Sequence, residues 1–180
     1  TIVTETRPQM ATVQSGIFPL PERDVTRQGK IIRVKSEIGS GSRSVDVRIV
    51  AVEAREEEDA ERIEDAPVIV AVGRGVKDIK PAQELASVLR GTLGATQPVT
   101  DRGTLPPWRM IGQTGKTVQP KLYIACGISG ASQHSVGMQN SGTIIAINTD
   151  EKAPIFRFAD YGIVGDVSKV LPELIASLKE

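Results

Sequence analysis

From position 67 onward, short apolar runs alternate with amphipathic stretches, the pattern of strands joined by helices. Residues 68–72 (VIVAV) form an unbroken, mostly β-branched run that stops at Gly73, as expected of a strand buried on both faces. Residues 122–126 (LYIAC), ending at Gly127, and 143–147 (TIIAI), ending at Asn148, are further short buried-strand runs. Residues 81–93 place Leu85, Val88, Leu89, Thr92 and Leu93 at helical spacing, which predicts a helix ended by Gly94. Pro172 is expected to open a last helix with Leu174, Ile175 and Leu178 on one face. Three buried strands with helical connections predict an α/β core over residues 66–180, built on a parallel sheet with both faces covered.

Upstream of residue 66 the pattern changes. Residues 30–35 (KIIRVK) and 45–52 (VDVRIVAV) alternate apolar and polar positions, as half-buried strands do, and Gly39-Ser40-Gly41-Ser42 joins them as a turn. Residues 54–65 (AREEEDAERIED) read as a charged, solvated helix. Residues 1–65 are therefore expected to be extended strands and a charged helix, packing on the core or on a partner. The chain begins at Thr1 without a Met, as a fragment or processed product would.

Composition removes several function classes. Lys plus Arg and Asp plus Glu number 22 each, so no basic excess points to nucleic acid. Three Phe, two Tyr and one Trp are too few for the stacking surfaces of single-strand binders. Cys126 is the one cysteine and His134 the one histidine, which excludes an intrachain disulfide, fits a reducing compartment and leaves too few ligands for the common zinc sites. No apolar run reaches the length of a membrane span, and nothing at the start reads as a signal peptide.

Candidate chemistry gathers where the strands stop. Gly73-Arg74-Gly75, Gly112-Gln113-Thr114-Gly115, Gly127-Ile128-Ser129-Gly130 and Asn148-Thr149-Asp150 are small, polar and glycine-rich. In open parallel sheets ligands bind beyond the carboxyl ends of the strands. Glycine there lets backbone N–H groups approach a phosphate. Stronger motifs fail on inspection. Gly115-Lys116-Thr117 resembles the end of a P-loop, but Met110 stands where its first glycine belongs, and Pro120 interrupts the helix that must follow. Gly127-Ile128-Ser129-Gly130-Ala131 resembles a nucleophile elbow, yet the only histidine, His134, stands five residues after Ser129, and nothing after it can serve as the base. Ser129 reads better as a hydroxyl and N–H donor to a phosphate. Arg74, just past a strand, reads as a phosphate contact or a surface residue. Cys126 reads as core.

The blocks Gly112-Gln113-Thr114-Gly115-Lys116, Leu122-Tyr123-Ile124-Ala125, Gly127-Ile128-Ser129-Gly130-Ala131, Gln133-His134, Ala146-Ile147-Asn148, Ala153-Pro154-Ile155-Phe156 and Ala159-Asp160-Tyr161-Gly162-Ile163-Val164-Gly165-Asp166 stand in one order and spacing. With Val72-Gly73-Arg74-Gly75 and Arg7-Pro8-Gln9-Met10-Ala11-Thr12-Val13 upstream, the whole chain resembles the alpha subunit of electron transfer flavoproteins. The resemblance implies the C-terminal, FAD-carrying half of that subunit, without the family's N-terminal domain. The implied fold is a doubly wound, mostly parallel, Rossmann-like sheet with an extended N-terminal segment. It also implies an electron carrier rather than an enzyme, one non-covalent FAD and a beta-subunit partner. Flavin dehydrogenases, such as acyl-CoA dehydrogenases, would donate the electrons and a quinone oxidoreductase would accept them. The implied location is the bacterial cytoplasm or the mitochondrial matrix.

Carried over by position, Arg74 and Thr96 resemble FAD contacts. Ile111, Gly112, Gln113 and Thr114 resemble the isoalloxazine side, with the Thr114 hydroxyl near N5. Ser129, Gly130, Ala131, Ser132, Gln133 and His134 resemble the pyrophosphate and flavin-carbonyl segment, with His134 on the O2 side. Asn148 resembles the ribityl or ribose contact, and Asp166 and Val167 the adenosine contacts. Two positions depart from the family. Gln97 stands where the family usually has an Arg, which marks it as a potential-tuning candidate, and Gln14-Ser15 replaces a frequent Arg-Pro. The rival readings are an NAD-binding oxidoreductase or regulatory domain on a similar sheet, and a cofactor-free interaction domain.

Overall fold

Four β-branched residues in five make β1 (Val68–Val72) a central strand. Val70 and Val72 point to one face and Ile69 and Ala71 to the other, and none is accessible to solvent. A computed structural model describes residues 7, 8, 10, 12, 22–33 and 62–179 of this chain. The chain divides into two compact units, Thr1–Glu57 and Glu58–Glu180. In the first, the described feature is a turn in which Asp24 Oδ1 accepts the Thr26 backbone N–H (2.9 Å) and hydroxyl (2.6 Å).

The second unit continues from β1 through α1 (Lys80–Val88), β2 (Thr92–Ala95), α2 (Gln97–Thr100), β3 (Leu122–Cys126), α3 (Ser132–Ser135), β4 (Thr143–Asn148), β5 (Tyr161–Val164) and α4 (Val167–Lys179). The sheet order is β2-β1-β3-β4-β5, and every pair is parallel. This bears out the parallel α/β sheet expected from the strand–helix alternation and the doubly wound, Rossmann-like fold that the resemblance implies. One face buries Val70, Val72, Ile124, Cys126 and Ile147 under α1, α2 and α4, with Leu85 and Leu171 at its centre. The other buries Ile69, Ala71, Tyr123, Ala125 and Ala146 under Ile111, Val118, Ile128, Met138 and Ile155. Each large aliphatic side chain so buried stabilises by about 1.5–3 kcal/mol.

β1, β3 and β4 fall where the apolar runs predict them, with β4 one residue longer. Elsewhere the structure corrects the pattern. The helix predicted over 81–93 ends at Val88. Arg90 turns the chain with φ of 51°, and Thr92–Ala95 is the edge strand β2. Leu93 and Thr92 continue the helical spacing by coincidence, and Gly94 lies inside a strand. The last helix starts at Val167, so Pro172 lies within α4 instead of opening it. β5 is exposed along its length, and the apolar pattern does not predict it. Residues 30–33 form no strand, and the remainder of that segment, the 39–42 turn and residues 45–52 lie outside the described residues. Of the charged 54–65 stretch, the described part is a 3-10 turn at Ile63–Asp65. No helix among the described residues is long and apolar enough to cross a membrane.

Candidate functional site

The chain leaves β1 toward β2 on one side, and β3 then returns on the other side of β1. The loops that follow β1 and β3 therefore part at the carboxyl end of the sheet, the crevice where doubly wound folds bind ligands. Here the Gly73 N–H donates to the Cys126 carbonyl at 2.8 Å and the Gly75 N–H to the Gly127 carbonyl at 3.3 Å. A Cβ at position 73 would overlap the Gly127 carbonyl, so the two loops meet only because no side chain stands there. A cavity of about 610 Å³ opens above them.

Its walls come from four strand ends. After β1, Arg74 lies exposed in the lining between its two glycines. After β2 come Thr96, Gln97 and Pro98. The 110–114 segment adds Met110, Ile111, Gly112, Gln113 and Thr114. Gly127, Ile128, Ser129, Ala131, Gln133 and His134 follow β3, and Asn148 ends β4. The structure thus brings together most residues singled out from the sequence. Four lie outside these walls. Gly130 packs against Ile155, and Ser132 is exposed on α3. Asp166 caps α4: its Oδ1 accepts the Ser168 backbone N–H (2.9 Å) and hydroxyl (2.8 Å), which hold its carboxyl below the usual range. Val167 is packed in the core. Pro98 and Met110 join the wall without a motif of their own; their only signal in the sequence is adjacency to Gln97 and Ile111.

The 110–116 turn is fixed from several directions. Ile111 N–H donates to Ala95 (2.9 Å), Gln113 N–H to the Gln133 carbonyl (2.7 Å) and Lys116 N–H to Met110 (2.7 Å). Gly112, at φ of 142°, passes so close to the 133 peptide that a Cβ would stand 2.6 Å from the Gln133 carbonyl oxygen. Lys116 Nζ reaches Glu64 at 2.7 Å. Burial alone would raise the Glu64 carboxyl, but the Lys116 hydrogen bond and charge outweigh it and leave its pKa below the ordinary value. Asn148 is also committed: Nδ2 donates to the Ile128 carbonyl (2.8 Å) and Oδ1 accepts the Asp150 N–H (2.9 Å).

The titratable groups beneath the cavity are neutral at pH 7. Burial pushes His134 down to about 4, against a smaller opposing effect of its hydrogen bond to Ile111. Burial lifts the Tyr123 phenol well above 10 and pushes the Cys126 thiol up to about 12. The lining carries one formal charge, Arg74, and no carboxylate. No group of His, Cys, Asp and Glu among the described residues could hold a metal ion.

Residues 62–139 match the family model described as the electron transfer flavoprotein FAD-binding domain. The chain belongs to the electron transfer flavoprotein alpha-subunit family. It is 48% identical over 177 residues to the electron transfer flavoprotein subunit alpha of Thermoanaerobacterium thermosaccharolyticum, covering 97% of this chain and 53% of that one. It is 44% identical to the protein FixB of Azotobacter vinelandii, covering 96% and 48%. It is 40% identical to the acryloyl-CoA reductase electron transfer subunit beta of Anaerotignum propionicum, covering 97% and 49%. The chain spans about half the length of these curated relatives.

The cavity fits the cofactor of an electron transfer flavoprotein domain. The Thr96 hydroxyl is buried in its wall and has no hydrogen-bond partner. A buried hydroxyl without a partner costs about 1–3 kcal/mol, which a ligand acceptor or donor would recover. An arginine in a lining free of carboxylates suits a pyrophosphate, and the apolar wall of Met110, Ile111 and Ile128 suits a ring system.

Proposed function

We propose that this chain holds one FAD non-covalently in the cavity between residues 73 and 148 and serves as the flavin-carrying part of an electron carrier. In this reading it assembles with a beta subunit in the bacterial cytoplasm. It takes electrons from flavin dehydrogenases and delivers them to a quinone oxidoreductase. The observation that supports this best is the unpartnered Thr96 hydroxyl in a carboxylate-free cavity at the switch point of the sheet.

The bound flavin supplies the redox chemistry, and the protein supplies binding, orientation and the electrostatic setting. Arg74 and the Ser129 to Gln133 segment would hold the pyrophosphate by charge and hydrogen bonds. The 111–114 turn would lie along the isoalloxazine, with the Thr114 hydroxyl on its N5 side. Asn148 would present its remaining amide hydrogen to the ribityl or ribose hydroxyls. No side chain is assigned an acid, base or nucleophilic step. Removing one hydrogen bond to a charged group costs about 1.5–3 kcal/mol. Ser129→Ala is therefore expected to weaken FAD binding roughly 10- to 100-fold in a calorimetric titration. Wild-type affinity in that variant would remove the 129–133 segment from the binding site.

A further inference from the structure

We propose that Tyr123 is a positioning residue for this cavity: through His134 it anchors the Ile111 carbonyl, so that the 111–114 turn and the 129–134 segment form one preformed wall. Tyr123 sits in β3, fully buried and in register between Ile69 of β1 and Ile144 of β4. Its hydroxyl lies 2.9 Å from His134 Nε2, and His134 Nδ1 lies 3.0 Å from the Ile111 carbonyl oxygen. The two rings are tilted by 49° with centroids 6.3 Å apart, so they meet through these polar atoms and not by stacking.

The proton positions follow from elementary chemistry. A carbonyl oxygen only accepts, so Nδ1 carries the hydrogen. A neutral imidazole has one N–H, so Nε2 is bare and accepts the phenol proton. The opposite tautomer would set the Nδ1 lone pair against the carbonyl oxygen. The bonds therefore run in one direction, Tyr123 O–H to Nε2 and Nδ1–H to Ile111. Together with Gln113 N–H to Gln133, they tie the turn to the α3 segment twice and the α3 segment to the rigid sheet once. Both imidazole nitrogens have protein partners, so His134 bridges the sheet and the turn while lining the cavity. Phenylalanine would fill the same space as Tyr123 but leave Nε2 with nothing to accept. The hydroxyl is thus what the position requires.

The affinity part of this inference rests on the flavin reading, whereas the tautomer part does not. His134 is the only histidine, so ¹⁵N-histidine labelling gives a single pair of ring nitrogen resonances. The expected spectrum has a protonated Nδ1 and a bare, hydrogen-bonded Nε2, both in flavin-free and in FAD-loaded protein. Tyr123→Phe is expected to move Nε2 to the position of an unbonded nitrogen and to weaken FAD binding roughly three- to tenfold, the loss of one net hydrogen bond. An Nε2–H tautomer or an imidazolium in either form overturns the proposal, as does a Tyr123→Phe protein with unchanged resonances and unchanged affinity. Should that variant fail to fold, His134→Gln keeps a donor for the Ile111 carbonyl and His134→Leu does not. Gln is expected to retain the tighter FAD binding, and equal affinities overturn the proposal. A wild-type chain with the expected tautomer that binds no FAD would sink the flavin reading and leave the bridge standing.

Discussion

Thr96 and Gln97 are adjacent in the cavity wall and call for opposite tests. Because the Thr96 hydroxyl is buried without a partner, Thr96→Val removes a polar group that no protein atom satisfies. The flavin-free variant is expected to gain about 1–2 kcal/mol in urea unfolding while its affinity for FAD falls. A variant that loses both stability and affinity would mean the hydroxyl is structural. Gln97 is exposed and uncharged. A unit charge about 4 Å from the ring, at an effective dielectric near 20, is worth roughly 4 kcal/mol. That sets an upper limit of about 170 mV for one electron, and solvent at an exposed position reduces it to roughly a third. Gln97→Arg is expected to raise the first-electron potential of the FAD-loaded protein in a spectroelectrochemical titration. An unchanged midpoint would show that residue 97 does not tune the flavin. His134 makes a pH prediction. Its pKa in the folded state lies near 4, below the ordinary 6.5, so the unfolded chain takes up the proton first. Its contribution is fully present above pH 6.5 and is lost as the pH falls toward 4, on the order of 3 kcal/mol in all. Urea midpoints across that window should fall more steeply for wild type than for His134→Gln; parallel slopes would contradict the buried neutral imidazole.

At the scale of elements, legibility follows burial. β1, β3 and β4 are central strands, buried on both faces, and a short, nearly unbroken apolar run bounded by glycine or asparagine suits little else. β2 and β5 lie at the edges. β2 is four residues long and contains Gly94 and Ala95, and Leu93 falls into phase with the helix before it. β5 is exposed on both faces, so no alternation marks it. The boundary hidden between α1 and β2 depends on Arg90 at φ of 51°, a conformation that costs a non-glycine residue about 1–2 kcal/mol. Arg90→Gly relieves that strain while adding freedom to the unfolded chain. A net gain of about 0.5–1 kcal/mol is expected in urea unfolding. A loss would mean that the Arg90 side chain contributes more than its backbone strain costs. Pro172 misleads for a related reason. The Asp166 cap, immediately before α4, is a stronger start signal than the proline inside the helix.

For the whole molecule, the walls of the candidate cavity are more legible than the edges of the fold, because glycines and short polar residues at strand ends mark close backbone approaches that residue pattern alone reveals. Gly73 and Gly112 stand where a Cβ would collide with a neighbouring carbonyl. What the pattern does not show is commitment. Asn148, His134 and Asp166 all look like free polar contacts in sequence, yet each is already held by protein atoms. Identifying the ligand needs the combined blocks across the chain, since each turn by itself suits many phosphate-bearing molecules. We propose that this cavity is built for FAD. The most direct measurement is a calorimetric titration of the flavin-free chain with FAD, FMN and NAD under one condition. One FAD per chain is expected, bound far more tightly than FMN or NAD. Preference for NAD, equal binding of FMN, or no binding of any of the three would contradict it.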